Sequence, residues 1–419
     1  MAMEEEMISV EEALQVILKS VPVLGLEKVD ILNALGRVLG EDVYAPYHIP
    51  HWDNSAMDGY AVIRNDIQDA TPQNPVTLKV VADLPAGYTA KRDLKQGEAI
   101  RIMTGAPIPD GSDTVVMVED TERNGDTVQI FKANSKGDNI RKAGEDVSKG
   151  ALVLPSGSVI HPADVGMLAS LKRSFVSVYQ RPTIAVISTG DELIDVDENL
   201  TEGKIVSSNT YSLSSLVMYS GAMPVILGIA KDRSEELLDK FQVAVRADMI
   251  VSSGGVSVGD YDLVKDILNE LGAEMKFWKV AMRPGQPLAF GVIEGKPTFG
   301  LPGNPVSCMV SFEQFVRPSI LKASGYRQIF RPLVEARLKE PIRKKEGKKY
   351  FIRCIVRMEN EQYVVSTTGE QGSGILMSMV RANGLIVLPE DKTTFETGEM
   401  VKVQILNRDF ELKEHHVYQ

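Results

Sequence analysis

The segment Thr183-Ile184-Ala185-Val186-Ile187-Ser188-Thr189-Gly190-Asp191-Glu192 starts as an apolar run and ends in a loop that carries Gly and two carboxylates. Four other apolar runs between residues 182 and 305 end in loops rich in Gly, Pro or charged residues: Pro224–Ile229, Met249–Val251, Lys276–Val280 and Pro297–Phe299. In a doubly wound α/β domain such loops meet at the carboxyl edge of the sheet, where ligands bind. We therefore expect loops from distant stretches of the chain to form one site.

Helical patterns separate these runs. Asn209 stands where it could cap a helix over Tyr211–Tyr219. Further helices are expected over Glu235–Val245, over Asp262–Leu271, and from Pro305 to about Ala323. Strand and helix patterns that alternate at this length favour a parallel sheet.

The regions before and after this α/β stretch show different secondary-structure patterns. Helical patterns over Glu11–Val21 and Ile31–Val38 precede a stretch, from about Pro46, of short β-type runs broken by Pro, Gly, Asp and Asn, which is typical of a small all-β module. From Phe330 onward short strands and turns return, and they predict a second β module. Within it Arg343–Lys349 is basic, and we expect a solvated hairpin there. A chain of 419 residues is too long to fold around a single hydrophobic core, so several domains are expected.

Composition excludes several classes of protein. A net charge of −11 argues against a general nucleic-acid binder. No uncharged apolar run approaches about 18 residues, so we expect no membrane-spanning helix. The acidic start Met1–Glu6 does not resemble a signal peptide. The cysteines Cys308 and Cys354 lie in apolar surroundings without metal-ligand spacing, as in the core of a cytoplasmic protein.

The loop Ser253–Asp260 follows an apolar run directly and contains three glycines and two serines besides its acid. Glycine permits positive φ, so successive backbone N–H groups can point into one concavity and hold an anion. The loop lacks both the Gly-Lys-Ser/Thr ending of a phosphate-binding P-loop and the glycine spacing of the dinucleotide fingerprint. A purely structural turn is the alternative for any one such loop, but four similar loops at equivalent strand ends favour a binding site.

Four carboxylates fall at the same predicted sheet edge: Glu192, Asp232, Asp260 and Asp262. Each alone could cap a helix or occupy its first turn. Together they repel one another unless a cation lies between them, and oxygen ligands favour Mg²⁺ or a similar hard divalent ion.

Two cations, Lys279 and Arg283, follow another strand of the predicted sheet. Simple solvation is their alternative, but Arg suits tetrahedral oxyanions. A backbone nest, metal-binding acids and basic side chains together suit a ligand with several phosphate-like groups.

Taken together, these loops resemble the molybdopterin molybdenumtransferase family, whose eukaryotic counterpart is the E domain of gephyrin. The strings that carry the resemblance occur in the family's order: Asn54–Ala61, Met103–Ala106, Gly144–Asp146, Ser188–Leu193, Ser253–Gly259, Gly300–Ser307 and Gln371–Gly374. Their number makes the signal far more specific than any single loop.

The resemblance implies a multidomain α/β plus β fold. Its parts are an elongated, discontinuous N-terminal domain (residues 7–45 and 141–181) with a β insert (46–140), a three-layer αβα molybdopterin-binding domain (182–326), and a C-terminal β-barrel-like domain (327–412).

The implied activity belongs to molybdenum cofactor biosynthesis in the cytoplasm. An enzyme of this family would insert molybdate or tungstate into the dithiolene of adenylated molybdopterin and release AMP, with Mg²⁺ or another divalent cation as cofactor. We expect a homodimer whose site is shared between subunits, and the molybdopterin adenylyltransferase as a further partner. No nucleic acid or membrane is expected to take part.

The resemblance also implies roles for individual residues. Glu192, Asp232 and Asp262 would handle the metal and the diphosphate, with Asp260 as a fourth metal ligand, and Asp58 and Asp146 would act from the partner subunit. Lys279, Arg283 and Ser373 are the expected molybdate contacts. The remaining expected substrate-binding residues are Thr104, Thr189, Gly190, Ser253, Gly254, Gly255, Ser257, Gly259, Pro302, Gly303, Asn304 and Pro305.

Two departures from the family pattern leave roles open. The family often reads Lys-Pro-Gly-Lys-Pro where this chain has Arg283-Pro284-Gly285-Gln286-Pro287, so one charge is absent at Gln286. It often reads Glu-Ala-Asp where this chain has Asp260-Tyr261-Asp262, which leaves open which acid binds the metal. Alternatives to the transferase are a molybdopterin-binding scaffold without turnover and a different phosphoanhydride hydrolase or nucleotidyltransferase built on the α/β domain.

Overall fold

The computed structural model describes residues 7–255 and 263–411, with the side chains of residues 263–265 excepted. The chain divides into two compact units. One comprises Met1–Val29, Ala34–Gly40 and Ser177–Gln419, and the other comprises Asp30–Asn33 and Glu41–Val176. The four-part domain division expected from the sequence stays a prediction.

The first unit contains a six-stranded sheet whose four neighbouring parallel strands include most of the predicted apolar runs. Its order is Met223–Ala230, Thr183–Thr189, Met249–Ser253, Lys296–Leu301, Pro287–Ile293 and Glu274–Lys279. Pro287–Ile293 runs antiparallel to both of its neighbours, so the sheet is mixed. The five predicted strands are confirmed, and their carboxyl ends share one edge of the sheet.

Alternating residues of each strand face opposite layers of helices. Ile184 and Val186 belong to a core with Leu213 of one helix, whereas Ala185 and Ile187 belong to a second core that includes other helices. This two-residue alternation is what a strand buried on both faces requires. The three-layer αβα arrangement is therefore confirmed. Its helices are Ser208–Tyr219, Ser234–Ala244, Leu263–Glu270, Pro305–Ser311 and Arg317–Ala323, the last two joined by a π-helical segment, Phe312–Val316.

Five strands of the C-terminal region close into a barrel. Lys349–Glu359 pairs with Gln362–Thr367 on one side and Gly384–Leu388 on the other, and Leu333–Leu338 and Met400–Ile405 complete the ring. Met282–Arg283 adds to this sheet beside Lys349 and Tyr350, which joins the αβα region to the barrel. Other elements of the first unit are the helices Val10–Ser20 and Leu376–Arg381, the short strands Leu193–Ile194, Ile205–Val206, Ile342–Arg343 and Thr394–Phe395, and the 3₁₀ turn Asp409–Glu411.

The second unit is built on a separate six-stranded sheet, as the short β-type runs predict. Its order is Thr114–Met117, Gly59–Val62, Glu98–Ile102, Val76–Leu84, Thr127–Ile130 and Thr121–Asn124. The unit also contains the helix Pro162–Ser170, the strands Val43–Tyr44, Asn54–Ser55, Ile140–Arg141 and Leu152–Leu154, and the 3₁₀ turns Arg64–Ile67 and Val118–Asp120. Strands Leu26–Asp30 and Phe175–Tyr179 each contain a point where the chain passes from one unit to the other.

Two local predictions are wrong. Residues 31–36 form turns rather than a helix: the Asp30 carboxylate caps the first turn by accepting the backbone N–H groups of Leu32 and Asn33, but Gly36, at a φ of +74°, ends it before further helical turns can follow. The predicted cap Asn209 lies inside its helix, which begins at Ser208 with Ser207 in the cap position.

Candidate functional site

A cleft of about 770 Å³ lies at the carboxyl edge of the αβα sheet. We call it the carboxyl-edge cleft. Loops after four of the strands line it, together with the start of the helix Ser208–Tyr219. The predicted site residues that line it are Thr189, Gly190, Glu192, Asp232, Ser253, Gly254, Gly255, Pro302, Gly303, Asn304 and Pro305.

Backbone packing at Gly254 brings three of these loops together. Its φ is +93°, and a Cβ added there would lie 2.5 Å from the carbonyl oxygen of Thr189. The Gly254 N–H donates to the carbonyl of Leu301 over 3.0 Å. A Cβ added at Gly303 would lie 3.7 Å from the Cα of Gly254. Only glycine meets both demands, positive φ and close approach, so this position keeps backbone rather than side chain at the floor of the cleft.

Asn209 cross-links the same loops, a role the sequence did not reveal. Its amide nitrogen donates to Ser253 Oγ over 2.7 Å and to the carbonyl of Gly303 over 2.8 Å. Its amide oxygen and Thr189 Oγ1 are both buried without a partner among the residues that the structure describes. The partners of Asn209 lie 44 and 94 residues away, so no local pattern could have identified it.

Two helices begin at this cleft, at Ser208 and at Pro305. The first turn of a helix has unpaired N–H groups and the positive end of the helix dipole, so it attracts phosphate and other anions. The cleft therefore combines anion-binding backbone with the two acids described next.

Glu192 and Asp232 provide exposed carboxylates at the rim. The Asp232 loop is tied to its neighbour reciprocally, since Asp191 N–H donates to Asp232 Oδ2 over 3.3 Å and Asp232 N–H donates to Asp191 Oδ1 over 3.2 Å. Within residues 7–255 and 263–411 no three His, Cys, Asp or Glu side chains form a metal-binding group. Four predicted residues, Ser257, Gly259, Asp260 and Asp262, lie outside the described residues, so the four-carboxylate set stays a prediction.

A second cleft, of about 950 Å³, adjoins the first and shares Pro287 and Asn304 with it. We call it the basic cleft, because six cationic side chains line it and Glu340 is the one acid among its lining residues in the described part of the chain. The Glu340 carboxylate already accepts the backbone N–H and the hydroxyl of Thr367. The cations are Arg283, Arg343, Lys344, Lys345, Lys348 and Arg353.

The ring of Tyr350 orients two of these cations. The Arg283 guanidinium carbon lies 5.7 Å from the ring centroid and Lys344 Nζ lies 5.0 Å from it, both in the range of cation–π attraction. The predicted residues Arg283 and Ser373 line the basic cleft, whereas Lys279 lines neither cleft. The basic stretch Arg343–Lys349, expected to be only a solvated hairpin, contributes four of the cleft's cations.

Arg353 is the residue at this cleft that sequence reasoning missed. Only 1% of it is exposed, and burial lowers the pKa of its guanidinium to about 10, so it stays charged at neutral pH. Its guanidinium donates to Ser378 Oγ and to the carbonyl of Gly372, and it has no carboxylate partner in the described chain. A buried cation without an anion is costly, so the arrangement suits an anionic ligand. The signal was the single charge inside the apolar run Phe351–Val356.

Two of the predicted residues of the second unit, Asp58 and Thr104, are in direct contact. Asp58 Oδ1 accepts the backbone N–H and the hydroxyl of Thr104, each over 2.7 Å, and the backbone bond is the larger cause that lowers the pKa of this carboxyl. The Gly105 N–H donates to the carbonyl of Ser55 over 2.8 Å, so the motifs Asn54–Ala61 and Met103–Ala106 meet, and strand Asn54–Ser55 pairs with Ile140–Arg141. Asp146 lies nearby in the chain with an exposed side chain, and its N–H donates to the carbonyl of Ile49.

Comparison with known proteins places these features in a family. The MoeA N-terminal region (domain I and II) matches residues 8–171, the probable molybdopterin binding domain matches 185–322, and the MoeA C-terminal region (domain IV) matches 335–406. Together these matches cover most of the chain.

Individual relatives agree over nearly their whole lengths. The chain is 39% identical to a protein of Nostoc named molybdopterin molybdenumtransferase (94% of this chain, 93% of that one) and 36% identical to one of the same name from Staphylococcus aureus (96% of each). A solved structure of the molybdopterin biosynthesis MoeA protein of Pyrococcus horikoshii superposes with a TM-score of 0.80 at 32% identity, over 96% of this chain and 100% of that one. The resemblance inferred from sequence is confirmed: the chain belongs to the MoeA family of molybdopterin molybdenumtransferases.

Proposed function

We propose that this protein inserts molybdate or tungstate into the dithiolene of adenylated molybdopterin and releases AMP, as a step of molybdenum cofactor biosynthesis. The observation that carries the proposal is the pair of adjoining clefts with complementary chemistry. One offers helix N-termini, backbone N–H groups and carboxylates, which suit a diphosphate with a divalent ion. The other offers six cations, which suit a tetrahedral oxyanion.

In the carboxyl-edge cleft, Glu192 and Asp232 would hold Mg²⁺ or another divalent cation, together with Asp260 and Asp262. The donor set fits, because Mg²⁺ is commonly bound by one or two protein carboxylates plus substrate phosphates. When bound, the ion would neutralise charge on the diphosphate oxygens. The chain's own contribution is to hold the diphosphate against the first turns at Ser208 and Pro305.

In the basic cleft, Arg283, Arg353 and Ser373 are the proposed contacts for the oxyanion. Arg353 is fixed by its bonds to Ser378 and Gly372, so its position is set before the anion arrives. Asn304 borders both clefts, and this supports an oxyanion position beside the site proposed for the adenylated cofactor.

The role of the acids is tested by replacing Glu192 or Asp232 with Ala and measuring AMP release from adenylated molybdopterin with Mg²⁺ and molybdate. Each change should lower the rate of AMP release by about 100-fold or more, because the divalent cation that offsets negative charge on the phosphate of the leaving AMP is no longer held in place. Asp239, exposed on the helix Ser234–Ala244, is the control: D239A should retain the wild-type rate. Wild-type AMP release by E192A or D232A would contradict the assignment.

We further propose a homodimer in which Asp58, Thr104 and Asp146 of one subunit complete the site of the other. Mixing experiments test this proposal. D58N and D232N homodimers should each be inactive. After subunit exchange, half of the dimers are mixed and each has one intact site, so about a quarter of wild-type activity should return. No recovery, in a mixture that demonstrably exchanges subunits, would place all of these acids in one subunit's site.

A further inference from the structure

Lys348 and Gln286 meet in the lining of the basic cleft. Both line it, both are half-buried, and Lys348 Nζ donates to Gln286 Oε1. In the part of the chain that the structure describes, no carboxylate lies within ion-pair distance of Lys348. The side chain is therefore held in place by a neutral group, and its charge is not cancelled.

Backbone pairing fixes the segments that carry the two residues. Lys349 N–H donates to the carbonyl of Ala281 over 2.9 Å, and the strand Met282–Arg283 runs beside Lys349. On the other side, Val280 N–H donates to the carbonyl of Gln286 over 3.0 Å. The meeting of Lys348 with Gln286 thus follows from the register of the αβα region against the barrel.

The neighbouring Lys344 shows what a structural lysine in this hairpin looks like. Its Nζ lies within hydrogen-bond distance of three backbone carbonyls, those of Lys345, Lys348 and Glu390, which use all of its donors. Lys348 has one donor on an amide oxygen. Its other two N–H groups can donate to a ligand, and in the described part of the chain no carboxylate neutralises the ammonium.

We propose that Lys348 binds the tetrahedral oxyanion substrate in the basic cleft and that Gln286 is the positioning residue that holds its ammonium there. This inference rests on the proposed function of the cleft. The amide of Gln286 orients the Lys348 ammonium and leaves its charge intact. A carboxylate at position 286 would also orient the ammonium but would neutralise its charge. The cleft thereby gains a fixed positive charge from the barrel hairpin, beside Arg283 and Arg353.

The test is calorimetric titration of the full-length protein with tungstate alone, at physiological ionic strength. K348M should raise the dissociation constant by about 10-fold or more, the usual effect of losing a charged hydrogen bond. Q286L should raise it by a few-fold, because the ammonium stays but is no longer held. The exchanged pair Q286K/K348Q should return to within a few-fold of wild type.

Lys402 provides the control for loss of one positive charge. It is exposed on the barrel strand Met400–Ile405 and lines neither cleft, so K402M should bind tungstate like the wild type. Equal effects of K348M and K402M would overturn the proposal, as would a folded exchanged pair that binds no better than K348M. If the wild-type protein fails to bind tungstate, the proposed function is overturned as well. If the wild type binds tungstate and K348M binds it equally well, only this inference is overturned.

Discussion

Asn209→Asp is the substitution that most sharply tests how the carboxyl-edge cleft is assembled. It keeps the shape of the side chain but replaces both N–H donors with a carboxylate oxygen. The Ser253 hydroxyl can turn and donate to the new carboxylate, but the carbonyl of Gly303 cannot donate to anything. The damage should therefore concentrate on the loop that contains Gly303.

The expected magnitude follows from three contributions. Loss of the bond to Gly303 removes about 1 kcal/mol, and leaving its part-buried carbonyl against another acceptor costs about 1–2 kcal/mol more. The new negative charge sits in the first turn of the helix Ser208–Tyr219 and regains about 0.3–1 kcal/mol from the helix dipole. The loop should be destabilised by roughly 1–3 kcal/mol.

Native-state hydrogen exchange read by mass spectrometry measures this locally, which matters because a multidomain chain has no single unfolding free energy. Protection of peptides spanning residues 296–311 should fall by about 5- to 150-fold, the equivalent of that free energy. Ser208→Asp adds the same charge to the same turn without removing either bond, so it should leave these peptides unchanged. Unaltered protection in N209D would refute the cross-linking role of Asn209.

Three further predictions concern other parts of the site. Gly254→Ala should destabilise its loop by about 1–3 kcal/mol in the same exchange assay. Gly228 also has a positive φ but has open space around it, so Gly228→Ala should destabilise its own segment less. Equal destabilisation by the two substitutions would show that only φ matters and that the close packing at Gly254 does not. Arg353→Met should weaken tungstate binding by about 10- to 100-fold in calorimetry, and unchanged affinity would remove it from the oxyanion site. Asp58 has a pKa held below its ordinary 3.8 by Thr104, so it stabilises its unit fully above pH 3.8 and loses this effect as pH falls through the lowered pKa. Melting curves of wild type and D58N should therefore differ by a constant amount at neutral pH and converge in acid, and a gap that widens in acid would contradict the assignment.

The strands of the αβα region could be predicted from sequence because their signals are local. Each is an apolar run ended by Gly, Pro or a charged loop, and parallel pairing then brings the loops to one edge. The antiparallel strand Pro287–Ile293 was missed. The two-residue turn Glu294-Gly295 joins it to Lys296–Leu301, and so short a turn requires antiparallel pairing, but the proline at its start and the glycine inside it weaken the strand pattern.

The parts of the site that escaped prediction depend on tertiary contacts. Asn209 looks like a helix cap until the loops at Ser253 and Gly303 are placed beside it. The cations of Arg343–Lys349 look solvated until the barrel closes and turns them toward Arg283. In both cases a polar residue with a common local explanation takes its role from a segment far away in the chain.

The proposed function requires turnover, in which oxyanion insertion is coupled to AMP release. The most direct measurement incubates the purified protein with adenylated molybdopterin and Mg²⁺, with molybdate, with tungstate or with neither, and follows both AMP and the metal content of the pterin product. We expect AMP release that depends on the oxyanion, with molybdenum or tungsten appearing in the pterin product in proportion. Tight binding of the adenylated cofactor without AMP release under any of these conditions would contradict the proposed transferase function and indicate a binding protein built on the same fold.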